Sequence, residues 1–247
     1  MGINVFTAMR IVLFPFSTDA VTMFKRYAIF ALPNGPLAEF GAAWLGWDIV
    51  SGAEIRPTQN FAVETADIVA NCRRYGFHAT MKPPFRLADG QNVHSLKATL
   101  AVLCRDLQPA KARRLRLTRL GRFLALLPED DSGSLSALAA CIVEKLDHFR
   151  AAPDPAELAR RTRGHLTKPQ LHALQEWGYP YVMDQFRFHF TLTDRTRRAT
   201  LDVLEEVLVA PLNKVLPTPF IVDSLSLVGE DSAGMFHEIQ RFDLEGT

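Results

Sequence analysis

The run Phe186-Arg187-Phe188-His189-Phe190-Thr191-Leu192-Thr193 alternates large apolar and polar side chains without a break. Along a β-strand successive side chains point to opposite faces, so i and i+2 share one. Read as a strand, Phe186, Phe188, Phe190 and Leu192 line a core. Gln185, Arg187, His189, Thr191 and Thr193 line a polar face. An earlier stretch, Arg73 to Lys82, repeats the arrangement, with Arg74, His78, Thr80 and Lys82 opposite Tyr75, Phe77, Ala79 and Met81. Each of two strands, near 73–83 and 182–193, therefore carries a His, a Thr two positions on, and a cation on one face. Side by side, they would set two imidazoles across one cleft.

The surrounding pattern supports a repeat. Lys25–Leu32 reads as a strand turned by Pro33-Asn34-Gly35, and Pro36 opens a helix with apolar Leu37, Phe40, Gly41, Trp44 and Leu45 at helical spacing. After the first His-x-Thr strand, which ends at Pro83-Pro84, come a helix (Leu96, Leu100, Leu103, Leu107) and two strands joined at Gly121. Helices follow around 135–149, 155–162 and 168–177. After the second His-x-Thr strand come another helix (Leu201, Leu204, Leu208) and strands at Ile221–Val228 and Phe236–Leu244, with Gly229 near their junction. Residues 48–72 give no clear pattern. Both halves thus run His-x-Thr strand, amphipathic helix, strand, strand, a weak internal duplication. The expected fold is α+β and bilobed, internally duplicated, with two antiparallel sheets backed by helices around a shared central cleft. Residues 1–22 are expected to be a dispensable N-terminal extension, and 23–247 one two-lobed domain.

Composition narrows the function. Lys+Arg number 28 against 27 Asp+Glu, so bulk charge recruits no polyanion. The three cysteines (Cys72, Cys104, Cys141) are far apart and fit a reducing, cytoplasmic setting better than a disulfide or zinc framework. Ile11-Val12-Leu13-Phe14 is too short for a membrane span, and Pro15 interrupts it. The basic run Lys111, Arg113, Arg114, Arg116, Arg119, Arg122 lacks interleaved aromatic platforms and reads as a solvated face, with RNA binding the alternative.

A lone His-x-Thr carries little information. Of the three here, His165-Leu166-Thr167 is explained locally: Thr167 begins a capping box with Gln170 and Pro169 in the first turn. His78 and His189, each with a Thr and a cation on its face, suit attack at a phosphodiester. One imidazole accepts a proton from the nucleophile and the other donates one to the leaving oxygen. Thr80 and Thr191 would hold phosphoryl oxygens, with Lys82 and Arg187 neutralising charge and Tyr75 and Tyr181 lining the cleft. Tyr27 is equally well read as core. No metal is expected, because neither polar face supplies the further ligands a catalytic zinc needs. Cys72 reads as a buried thiol.

These motifs and their flanks resemble the 2H phosphoesterases, named for two His-x-[Thr/Ser] motifs on a bilobed, duplicated fold. The resemblance spans roughly residues 24–245. Tyr75 to Phe85 and Trp177 to Thr193 are most similar to a branch labelled phosphonate-metabolism proteins. The resemblance implies cofactor-free, metal-independent opening of a small cyclic phosphodiester to a monoester at His78, Thr80, His189 and Thr191. A ribose cyclic phosphate is the substrate it points to. Processing of RNA ends with 2′,3′-cyclic phosphates, and non-catalytic binding of a phosphorylated ligand, are the alternatives. Oligomeric state is not legible.

Overall fold

The computed structural model describes residues 24–55 and 65–246, so the expected extension 1–22 lies outside the described residues. In chain order the strands are β1 (Arg26–Ala31), β2 (Trp47–Asp48), β3 (Ala53–Glu54), β4 (Ala79–Phe85), β5 (Ala110–Leu120), β6 (Phe123–Asp131), β7 (Phe190–Thr191), β8 (Phe220–Val222), β9 (Ser224–Glu230) and β10 (Phe236–Asp243). The α-helices are α1 (Gly35–Leu45), α2 (Ala66–Val69), α3 (Val93–Asp106), α4 (Ser134–Lys145), α5 (Pro155–Arg161), α6 (Lys168–Trp177) and α7 (Arg198–Val215). Two four-stranded antiparallel sheets result, ordered β10-β9-β1-β4 and β7-β6-β5-β8. The fold is α+β, as expected.

Strand composition sets sheet position. Tyr27 to Ala31 are buried on both faces, which suits β1 to the middle of its sheet. β4 contains Pro83 and Pro84, which have no N–H to give to a ladder, and it lies at the edge. α1 begins with Pro36 and closes at Gly46, whose left-handed backbone (φ 72°) lets its N–H reach the Ala42 carbonyl at 2.8 Å. Its buried residues are Leu37, Phe40, Gly41, Trp44 and Leu45, the stripe expected from spacing. The Thr167 capping box with Gln170 is present.

The lobes differ from a simple tandem repeat. The β5–β6 hairpin that follows the first motif pairs with β7, the strand of the second motif. The β9–β10 hairpin that follows the second motif joins the sheet of β4, through β1. The two halves of the chain are interlaced, and one continuous apolar core, not a cleft alone, joins the sheets. Gly229 is within β9, opposite Tyr27 and His237, while the turn into β10 is shaped by Asp231 and Gly234 (φ 84°).

Both motif strands are shorter than expected. Cys72–Tyr75 forms a 3₁₀ turn, and Gly76 at φ 68° then redirects the chain, so the strand starts only at Ala79. Met183–Gln185 is another 3₁₀ turn, and β7 is confined to Phe190–Thr191. Beyond it the alternation breaks, because the N–H groups of Leu192 and Thr193 both reach the Leu124 carbonyl (2.9 and 3.3 Å). Thr193 turns inward, 1% exposed, and its Oγ1 accepts the Leu124 N–H at 3.0 Å. It does not share the polar face.

The two edges bearing the histidines are tied together. Phe77 and Phe190 stack at 5.1 Å, Trp44 Nε1 donates to the Leu192 carbonyl at 2.7 Å, and Gly41 gives the Phe77 ring its space. The Asp194 carboxylate accepts from the N–H groups of Asn71 and Cys72 at 2.7 and 3.0 Å, anchoring the turn that leads to His78. A Cβ at Gly41 would collide with Phe77. Gly41→Ala should therefore destabilise the fold by about 1–3 kcal/mol in urea unfolding. Gly164→Ala, where a Cβ meets nothing, should change stability by less than about 0.5 kcal/mol.

Candidate active site

His78 lies just before β4 and His189 just before β7, each on an outer strand of its sheet. Their ring contacts match. His78 Nδ1 donates to the Gly76 carbonyl at 2.9 Å, and His189 Nδ1 donates to the Arg187 carbonyl at 2.8 Å. A carbonyl only accepts, so Nδ1 carries the proton and Nε2 is left basic in both neutral rings. His78 Nε2 accepts from the Thr80 hydroxyl at 3.1 Å. His189 makes only its Nδ1 bond among the described residues.

The surroundings hold both rings neutral. His78 is sandwiched between Phe30, 3.9 Å away, and Tyr75, 5.8 Å away and tilted by 23°. Burial pulls its imidazolium down to about 4, against the opposing Gly76 bond, and repulsion from His189 lowers it further. The rings are thus within electrostatic reach of each other. His189 is also lowered, first by burial and then by the Arg187 charge. Phe123 stands beside it at 6.0 Å. Thr80 and Thr191 are both half-buried.

The flanking residues divide. Arg187 is exposed near His189 and has no carboxylate partner among the described residues. Tyr75 covers His78, and Tyr181, 49% exposed, meets the edge of Tyr179 at 5.8 Å. Lys82 differs from expectation. It points inward, 1% exposed, and its Nζ donates to the Val143 carbonyl at 3.0 Å and to Asp147 at 3.1 Å. Burial lowers its ammonium to about 8, and Asp147 resists that fall. Its bonds are spent inside the protein, so it is withdrawn as a phosphate contact. Tyr27 belongs to the core.

Arg26, Arg161 and Tyr179 lie outside the expected set. Arg26, at the start of β1, has the Tyr75 hydroxyl against it and is held by Glu230 through bonds of 2.5 and 2.8 Å. Arg161 lies over the Tyr179 ring at 5.1 Å. Alternation places Arg26 on the face of Phe30, which could have signalled it, whereas nothing local links Arg161 or Tyr179 to the motif. The basic run on β5 is answered by acids. Arg113, Arg114 and Arg116 converge on Glu129, and Arg119 pairs with Asp202 and Glu205. Among the described residues no three His, Cys, Asp or Glu side chains gather to hold a metal, and no helix is long and apolar enough to cross a membrane.

Residues 80–237 match the model of a family described as "Protein of unknown function (DUF1045)". The chain belongs to this family. A relative from Janthinobacterium sp. (strain Marseille) named ribose 1,5-bisphosphate phosphokinase PhnN is 33% identical over 240 residues, covering 93% of this chain and 52% of the relative. A second protein of that name, from Laribacter hongkongensis (strain HLHK9), is 32% identical over 219 residues, covering 87% and 51%. The chain spans about half the length of these curated relatives. Among solved structures, TT0787 of Thermus thermophilus is similar at 16% identity and a TM-score of 0.45, covering 90% of this chain and 98% of that one. A structure described as a phosphoesterase is similar at 14% identity and a TM-score of 0.39, covering 89% and 98%. Both likenesses are loose.

The imidazoles have a consequence for stability. A His whose folded value lies below its unfolded value of 6.5 binds fewer protons when folded, so stability falls as pH drops below 6.5 and levels off below about 4. Chemical denaturation at pH 4.5 and 7.5 should show lower stability at the acid value. His78→Gln, which cannot take up the proton, should narrow that difference.

Proposed function

We propose that this protein is a metal-independent phosphodiesterase that hydrolyses a small cyclic phosphodiester by paired-histidine acid–base catalysis. One observation supports the reading: two imidazoles, carried by sheet edges that the Phe77–Phe190 stack ties together, each have Nδ1 pinned to a carbonyl, which leaves Nε2 for proton transfer. That is the arrangement an in-line displacement at phosphorus needs.

His78 is assigned as base, because its apolar sandwich keeps it unprotonated at neutral pH. Its Nε2 takes a proton from water as the water oxygen attacks phosphorus. The ring P–O bond breaks, and His189, neutral at rest and protonated at Nε2 once the anionic phosphodiester lies beside it, gives that proton to the departing alkoxide. Water is added overall, yielding a phosphomonoester beside a free hydroxyl. Thr80, Thr191 and Arg187 steady the non-bridging oxygens, whose charge grows in the transition state. Arg187 is suited to this by its lack of a carboxylate partner among the described residues.

A ribose cyclic phosphate is the favoured substrate. Opening it gives a ribose phosphate ester, the class of compound in the relatives' printed name. The phosphokinase half of that name is not carried over: the sequence contains no GxxxxGK[S/T] loop to cradle a nucleoside triphosphate. The RNA-end reading is weakened by the pairing of the β5 arginines with acids.

A hydrolysis screen over sugar and nucleoside cyclic phosphates tests this. At least one sugar compound should be opened, with a bell-shaped pH profile and full activity in EDTA. His78→Ala or His189→Ala should lower turnover by about 10²–10⁴, equivalent to about 3–5 kcal/mol of barrier. Loss of activity in EDTA that zinc restores, or variants as active as the parent, would contradict the proposal.

A further inference from the structure

We propose that Ile49, at the turn of the β2–β3 hairpin, is a positioning residue for His78: it packs on Gly76 and so fixes the carbonyl that selects the Nδ1–H tautomer. This deepens the phosphodiesterase reading, and its use in catalysis rests on that reading.

The hairpin belongs to neither four-stranded sheet. It pairs Trp47 with Glu54 and Asp48 with Ala53, and β10 grips it twice. The Ile49 carbonyl accepts the Glu238 N–H at 2.8 Å, and Trp47 Nε1 donates to the Phe236 carbonyl at 3.1 Å. The Asp48 carboxylate accepts the N–H groups of Val50 and Ser51 and the Ser51 hydroxyl, which stiffens the turn. Ile49 is buried in a cluster with Trp47, Phe30 and Phe236, and Tyr75 packs against that cluster. These are the rings around His78: Phe30 stacks on it, and Tyr75 stacks on both His78 and Phe236.

The contact with Gly76 is direct. A Cβ on Gly76 would fall 2.6 Å from Ile49 Cβ and 3.1 Å from its Cγ2, so the branch of the isoleucine fills the space beside that peptide. Gly76 has φ 68° and ψ 179°, a conformation that L side chains avoid, and its N–H is tied to the Arg73 carbonyl at 2.9 Å. Its own carbonyl takes the His78 Nδ1–H at 2.9 Å. Across the ring, Thr80 Oγ1 lies 3.1 Å from Nε2, and a hydroxyl can donate or accept. Thr80 therefore tolerates either tautomer, and the choice falls to the Gly76 carbonyl. Were that peptide to turn away, Nδ1–H would be buried without a partner, at a cost. The proton would then sit on Nε2, bonded to Thr80, and Nε2 could no longer accept one from water.

Packing alone ranks replacements of Ile49 by volume, whereas positioning ranks them by shape. Ile49→Val keeps Cβ and Cγ2 against Gly76 and loses Cδ1. Ile49→Leu keeps the volume and loses Cγ2. Both are mild core changes that leave the chain folded. Nitrogen-15 NMR of the histidine-labelled full chain reads the His78 tautomer, and steady-state kinetics on a cyclic phosphate that the parent opens give kcat and KM. Ile49→Val should match the parent. Ile49→Leu should show Nε2–H at His78 with His189 unchanged, and kcat about tenfold lower at unchanged KM. Leu208→Ala, a larger loss in the core on α7, should lower stability without moving the tautomer. A His78 ring still Nδ1–H in Ile49→Leu, or an equal shift in Ile49→Val or Leu208→Ala, overturns the positioning role. If the tautomer shifts as expected but the parent opens no cyclic phosphate, the contact stands and the phosphodiesterase reading falls.

Discussion

The site depends on a seam between two sheet edges. β4 and β7 are outer strands of different sheets, and neither sheet by itself brings His78 near His189. The join is made by the Phe77–Phe190 stack, by Trp44 reaching the Leu192 carbonyl, and by Asp194 accepting the N–H groups of Asn71 and Cys72. Apolar stacking supplies adhesion, and the polar contacts fix register, since each satisfies groups that would otherwise be left unpaired on partial burial. Interlacing adds to this. Each motif strand shares a sheet with the hairpin that follows the other motif, so separating the lobes would require breaking sheets as well as the seam.

The same architecture sets the electrostatics. The aromatic lid of Phe30 and Tyr75 keeps His78 neutral, and Arg187 discourages protonation of His189. Positive charge beside His189 comes from Arg187, and Arg26, braced by the buried Glu230, stands against Tyr75. A lysine on the motif face, Lys82, is used differently. Its ammonium faces Asp147, itself paired with Arg150, and stiffens the contact between β4 and the end of α4. With Lys82 buried and Asp147 partly exposed, the ion pair is weak support for stability, though removal of the carboxylate would be costly.

Features set by neighbours in sequence were legible in it. The α1 stripe, the β5–β6 hairpin at Gly121 and the Thr167 capping box all follow from spacing or cap chemistry, and each is present. Features set by distant partners were not. Alternation placed His78, Thr80 and Lys82 on one face, yet the fate of Lys82 is decided by Asp147 on another element. Thr193 fits the alternating pattern and leaves it, because the Leu124 backbone draws it inward. The turns at Cys72–Tyr75 and Met183–Gln185 override strand-like sequence just before each histidine. The duplication was visible as element order, but the exchange of hairpins between lobes has no local signature.

The central claim is that His78 and His189 present two Nε2 atoms to one phosphorus. Nitrogen-15 NMR of histidine-labelled protein, titrated with inorganic phosphate, tests it directly. The account predicts that both rings start as Nδ1–H tautomers and that both Nε2 signals move together along one binding curve. An Nε2–H tautomer at either ring, or a response from one histidine alone, would contradict it.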